Sequence, residues 1–224
     1  MYSFLSYLRY PVPSPNQRPK FIEFFGLFAL YVLIIIPLSV VIFFVSKEFH
    51  IKSELKFSFN YKLVLTAVLL APFYEEVFFR SWLKLKKNIV MLLITILPLL
   101  AFKAIYDDKL TSAVVLVLLL LVFLILLRSI GRKKIEDYIS NHFIYFFYAS
   151  VLIFGLLHAA NFEGNTYLIL ALSPILGSPQ IVLGFFLGFV RMKYGLAYSI
   201  LFHVSVNALF LFISLKPAVI FSLF

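Results

Sequence analysis

The sequence predicts an all-α fold: a polytopic transmembrane helical bundle of about seven membrane segments, the sixth broken into two short helices. Three observations predict it. The 224 residues are 63% hydrophobic and 13% charged, with a mean hydropathy of +1.03, whereas soluble domains are about 45–50% apolar and about 25% charged. Apolar runs recur along the chain, and about 20 residues suffice for a helix to cross ~30 Å of hydrocarbon. The ionisable residues that interrupt those runs stand at helical spacing. An ordinary cytosolic enzyme, a disordered chain and a disulfide-built secreted scaffold are excluded. There is no Cys, hence no disulfide and no thiolate metal site. Residues 1–224 read as one integral membrane domain, with the helical bundle over 24–207.

Tyr2–Tyr10 is short and aromatic and is followed by Pro11, Pro13 and Pro15, a composition that suits the cytoplasmic interface. Phe24–Val45 is the first run. It is too long for the apolar region of a signal peptide and lacks a small-residue cleavage site, so it is expected to stay as a span. Tyr61–Leu83 is the second, interrupted by Glu75, Glu76 and Arg80. Ile89–Tyr106 and Leu110–Ile130 follow, and His142–Ala160 is the fifth. Thr166–Val190 is broken by Pro174, Gly177, Ser178 and Pro179. Irregular backbone at membrane depth is tolerated only beside protein or water. Gly184 and Gly188 form a GxxxG pair that lets another helix approach closely. Leu196–Leu215 is the last run.

Seven crossings place twelve Lys and Arg on the N-terminal side and seven on the other. Cytoplasmic loops carry the excess of Lys and Arg, so the N-terminus is expected in the cytoplasm, with the chain in the plasma membrane. The net charge of +10 has the same origin. The basic residues scatter between apolar runs and form no single face, which excludes nucleic acid as a partner. The lipid bilayer is the partner that composition implies.

A charge at the bilayer centre costs at least ~2.5–3.5 kcal/mol on insertion scales, so buried ionisable residues mark function or pairing. Glu76 and Arg80 are four apart and should pair on one helix face. Glu75 points about 100° away and is the spare carboxylate. His203 and Asn207 are also four apart, and His158 comes from a third helix. At 1.5 Å per residue, Glu75 and His203 lie roughly 12 Å from the cytoplasmic ends of their runs. His158 would lie roughly 24 Å in, so residues 142–147 must sit in the interface or the helix must tilt.

These residues carry a resemblance. Glu75-Glu76-Val-Phe-Phe-Arg80 resembles an EExxxR signature, Phe154-Gly-Leu-Leu-His158 an FxxxH motif, and His203-Val-Ser-Val-Asn207 an HxxxN motif. Their order, with the glycine-bearing helix Gly184–Gly195 before the last motif, is similar to that of the CAAX-protease and bacteriocin-processing (CPBP, Abi) family of intramembrane proteases. The likeness runs over 72–207. It departs from the family in one respect: 83 positions separate Glu75 from His158, so a helix pair at about 88–130 reads as an insertion. An even number of extra spans leaves the sidedness of the fifth helix unchanged.

The resemblance implies an intramembrane endopeptidase acting near the cytoplasmic side on a membrane-associated peptide or protein. Glu75 with His158 would bind and deprotonate water, and His203 with Asn207 would supply oxyanion donors. Glu76 and Arg80 would act structurally, and no cofactor is implied. Water must reach the site, so a cavity open to the cytoplasm is expected. Three other readings stand beside this one. Glu75, His158 and His203 suit three zinc ligands with an open fourth position. Buried Glu, His and Arg with a broken helix suit a proton-coupled transporter. An inactive membrane scaffold would keep the fold alone.

Overall fold

The computed structural model describes residues 4–53, 64–87 and 132–221. The expected third and fourth runs, and with them the inserted pair at 88–130, lie outside the described residues.

Among the described residues the elements are helical, apart from two short strands. Helix α1 is Phe4–Arg9 and α2 is Phe21–Glu48. Strand β1 is Lys52–Ser53. A π-helical segment, Val64–Leu70, runs into α3, Ala71–Arg80, and a 3₁₀ turn, Trp82–Lys87, follows. Helix α4 is Arg132–Asn141 and α5 is Phe143–Leu157, extended by a 3₁₀ turn over His158–Asn161. Strand β2 is Phe162–Glu163, and α6, α7 and α8 are Thr166–Leu176, Ser178–Tyr194 and Leu196–Phe221.

Among the described residues, Phe21–Glu48, Phe143–Asn161 and Leu196–Ile213 are long and apolar enough to cross a membrane, and α6 with α7, bent by 43° at their junction, have the length and apolarity of either a broken span or a re-entrant loop. Helix α2 shows how lipid shapes the fold. Only Leu27, Tyr31 and Ile35 are buried, at four-residue spacing on one face. Leu33, Ile36, Phe43 and Phe44 stay exposed, as a helix apolar all round does when acyl chains are its solvent.

The expected break in the sixth run falls at Gly177. Its N–H donates to the Ser173 carbonyl at 2.8 Å, closing α6, and its own carbonyl receives the Ile181 N–H at 2.9 Å, opening α7. Small residues then let α5 and α7 touch. A Cβ on Gly155 would sit 2.7 Å from the Ile181 nitrogen, and one on Gly188 would sit 2.6 Å from the Phe147 ring. Lipid tails are as apolar as the core, so close packing rather than water exclusion holds these helices together. Phe147, Phe154, Leu183, Leu187, Val190 and Phe202 fill the centre and are fully buried.

The bundle has two dissimilar ends. At one, residues 4–20 form a strap. Tyr7 lies edge-on to Phe147 and Phe189, with ring centroids at 5.6 and 5.2 Å. Ser14 Oγ donates to the Met192 carbonyl at 3.0 Å, the Gln17 N–H donates to the Lys193 carbonyl at 2.7 Å, and Lys84 Nζ donates to Asn16 Oδ1 at 2.8 Å. Lys193 pairs with Glu23 at the start of α2. At the other end, β1 runs antiparallel to β2 with Lys52 opposite Glu163, and Asn165 caps α6 by accepting from the N–H groups of Tyr167 and Leu168. Phe143 and Phe147 pack at the level of the strap, while Tyr145 is exposed there. The start of α5 therefore lies beside α1.

Candidate active site

Helix α3 presents Glu75, Glu76 and Arg80; the end of α5 presents His158; α8 presents His203 and Asn207. All six come together. Glu75 Oε2 stands 3.6 Å from His203 Nε2 and 3.9 Å from His158 Nε2. Glu76 turns the other way. Its Oε1 lies 3.2 Å from Arg80 Nη1 and 3.3 Å from His203 Nδ1, and Ser199 Oγ reaches its Oε2. Glu76 and Arg80 are both wholly buried, whereas the Glu75 side chain is 29% exposed and that of His158 is 20% exposed. One carboxylate is consumed by pairing and its neighbour is left at the edge of an open space, as the 100° offset between adjacent helical residues requires.

The protons of the two imidazoles follow from their partners. A carbonyl only accepts, so His158 Nδ1–H donates to the Phe154 carbonyl at 2.7 Å and Nε2 is turned to Glu75. His203 Nδ1–H donates to Glu76 in the same way, and its Nε2 also faces Glu75. Phe154 is the hub of this layer. Its ring lies 4.1 Å from the Arg80 guanidinium carbon and edge-on to both His158 and His203. A cation over a desolvated ring face gains up to ~2 kcal/mol, which helps to hold Arg80 in an apolar interior.

Asn207 does something the sequence did not indicate. Its Nδ2 donates to the Ala67 carbonyl at 2.8 Å. In a π-helical ladder that carbonyl would accept from residue 72, but Pro72 has no N–H. The proline orphans the carbonyl and Asn207 satisfies it, leaving the second hydrogen of the amide for the cavity that Asn207 also lines.

Sequence reasoning missed five contributors, on three helices. Ser199 precedes His203 by four residues, so shared helical face is a signal that would have found it. Arg191 stands just past the apolar run Thr166–Val190, yet it is buried in the last turn of α7, where its Nε donates to the Arg80 carbonyl at 3.2 Å and closes the C-terminal end of α3. Tyr31, Ile35 and Ser39 of α2 line the site, and apolar periodicity alone does not distinguish them from lipid-facing neighbours.

The cavity at Glu75 has a volume of about 380 Å³. It extends along the bundle in one direction. On α2 its lining runs from Tyr31 to Ser39, on α3 and the π-helical segment before it from Glu75 back to Ala67, and on α8 from His203 to Leu211. Asn161 and Gln180 complete it. Each of these stretches leads from Glu75 towards the β1–β2 end, away from Arg9, Arg18, Lys20 and Lys84. The physical reason is the closed layer of Glu76, Arg80, Val77 and Phe154, which lies between Glu75 and the strap and is fully buried. A second cavity, beneath the strap beside Pro13, Trp82 and Asp137, touches none of the six residues.

A helical bundle with apolar spans and a polar cluster buried between them defines a polytopic integral membrane protein. The model of one family, described as "Type II CAAX prenyl endopeptidase Rce1-like", matches residues 57–209. That is more than half of the chain, and it takes in all six site residues: the protein belongs to the Rce1-like family, the group that its three motifs resemble. No curated protein and no solved structure matches the chain.

Proposed function

We propose that this protein is a glutamate-type intramembrane endopeptidase. The observation that carries the reading is Glu75 Oε2 facing the Nε2 atoms of two imidazoles whose Nδ1–H groups are both committed elsewhere. Separations of 3.6 and 3.9 Å exceed a direct hydrogen bond and suit one bridging water. In this mechanism Glu75 and His158 hold the water, and Glu75 takes its proton as the water oxygen bonds to the scissile carbonyl carbon. The carbonyl electron pair moves onto oxygen. The free hydrogen of the Asn207 amide and His203 Nε2–H donate to that oxyanion. Donation from both ring nitrogens makes His203 an imidazolium, for which Glu76 is the counter-charge. Collapse breaks the C–N bond, and the proton held by Glu75 passes to the leaving amine.

The reaction as written uses only these side chains and water. The substrate class is a membrane-associated peptide or protein; the family's description names prenylated CAAX chains. With the N-terminus in the cytoplasm of a plasma-membrane protein, Glu75 stands about 12 Å from the cytoplasmic end of its segment. The test compares membrane proteomes of cells carrying the natural protein and Glu75→Gln. A truncated peptide that appears only with the natural protein is the expected result. Identical peptide profiles, with Glu75→Gln folded, would remove the assignment.

A further inference from the structure

We infer that the Gln180 side-chain amide is a substrate-binding group of this site: its Oε1 accepts a backbone N–H of an extended, uncharged and apolar peptide segment lying beside Glu75. The inference deepens the proposed function and rests on it for the word substrate; the unpaired acceptor itself rests on geometry.

Three observations carry it. First, the acceptor is an orphan. Gln180 Oε1 is buried without a hydrogen-bond partner, although the backbone N–H of the same residue donates to the Gly177 carbonyl at 3.0 Å. Among the described residues, the other buried side-chain polar atoms without a partner belong to residues outside the lining of the Glu75 cavity; Gln180 is part of it. Buried polar groups are nearly always paired, so an unpaired one beside a reacting centre points to a partner that arrives with the substrate. Second, the fold sets Gln180 beside the site. It lies in the first turn of α7, and the backbone of the next residue, Ile181, rests against Gly155. One turn beyond Gly155, α5 gives way to His158, so the two side chains enter one cavity from adjoining helices. Third, the nearby amide of Asn207 serves as a donor, already to the Ala67 carbonyl. A peptide unit presents one acceptor and one donor. Asn207 suits the first and Gln180 Oε1 the second.

The lining selects the chemistry of that partner. Away from Glu75 and the imidazoles it holds no charged side chain, and Ile35, Val206 and Leu211 offer apolar walls. A peptide bond becomes open to attack when its segment is unwound, and unwinding in an apolar setting leaves backbone N–H groups without partners. Gln180 Oε1 satisfies one of them. A prenyl chain, the group in the family's description, is hydrocarbon and has no N–H to donate. The acceptor therefore reads the peptide part of a substrate.

The test measures binding without cleavage, on the whole 224-residue chain carrying Glu75→Gln, in detergent. The probe is a fluorophore-labelled peptide of alternating Leu and Ala, with a series in which one backbone N–H at a time is replaced by an ester oxygen. Fluorescence anisotropy should show an affinity loss of about fivefold at one position of the series, the worth of one hydrogen bond. Adding Gln180→Met, which keeps the side-chain length and removes the amide, should weaken the all-amide peptide to the same degree and abolish the difference between amide and ester at that position. Gln180→Met should also melt no lower than its parent, because the orphan acceptor holds nothing in the free protein. Three results overturn the inference: no binding of the peptide, the same ester effect with and without Gln180, or a lower melting temperature for Gln180→Met. Binding involves no catalysis. An affinity that depends on both the N–H and Gln180, without any truncated peptide in the proteome, would reject the endopeptidase and leave the binding group standing. Truncated peptide together with affinities indifferent to Gln180→Met would do the reverse.

Discussion

The side-chain amide of Asn207 donates to the backbone carbonyl of Ala67 at 2.8 Å, joining the last helix to the π-helical segment ahead of Glu75. In the proposed mechanism one residue thus holds the backbone that leads to the general base and offers a donor to the reacting carbonyl. Asn207→Ala should lower kcat by about 10²–10³ with KM little changed, because an oxyanion donor acts only in the transition state. It should also cost about 1–3 kcal/mol of stability by leaving the Ala67 carbonyl unpaired. Kinetics on the cleaved peptide and unfolding in detergent separate the two. Loss of stability with kcat intact would leave only the structural role.

Glu76 and Arg80 form a fully buried pair, so removing one leaves the other charged and alone. Glu76→Gln and Arg80→Leu should each destabilise strongly, by about 3–5 kcal/mol. The double variant Glu76→Leu/Arg80→Met should recover much of that stability, because it buries no charge. It should not recover activity, since His203 loses the group that holds its Nδ1–H. Melting temperatures of the three variants check the first point and turnover the second.

Gly155 sits where α5 meets the first turn of α7, and an added Cβ would press on the Ile181 backbone. Backbone cannot swing aside as a side-chain tip does. Gly155→Val should lower stability by about 1–3 kcal/mol and shift His158, which closes the same helix one turn later. The expected signature is a lower melting temperature together with reduced turnover, whereas Gly26→Ala, with open space around its Cβ, should change neither.

Zinc remains the chemical rival for the same three side chains. Purified protein should contain less than stoichiometric zinc by elemental analysis, and cleavage should survive a chelator. Stoichiometric metal with chelator-sensitive, zinc-restored activity would replace the general-base mechanism by a metal-bound water.

Much of the architecture was legible in the apolar runs. Phe24–Val45 lies inside α2, His142–Ala160 covers α5 and its 3₁₀ extension, and the sixth run breaks at Gly177, within the predicted Pro/Gly/Ser cluster. The four-residue spacings of Glu76 with Arg80 and of His203 with Asn207 were equally legible, because a helix places such residues on one face whatever surrounds it. Arg191 misled: a basic residue after an apolar run reads as a loop, yet α7 continues past it to Tyr194 and buries it against α3. Ser199 and Tyr31 went unnoticed because their roles depend on what another helix brings opposite them.

Sequence alone determined that the chain is membrane-embedded and helical, and which polar side chains it carries into that setting. Those are properties of composition and of a single helix, in which neighbours are set by a 3.6-residue turn. The tertiary structure decided which carboxylate is spent on an arginine and which faces two imidazoles. It also decided that Asn207 repairs the carbonyl that Pro72 orphans, and that the cavity leads away from the basic end. These are distances between helices, and they follow from where Gly155, Gly177 and Gly188 let backbones approach and where the strap and its aromatic rings close the bundle.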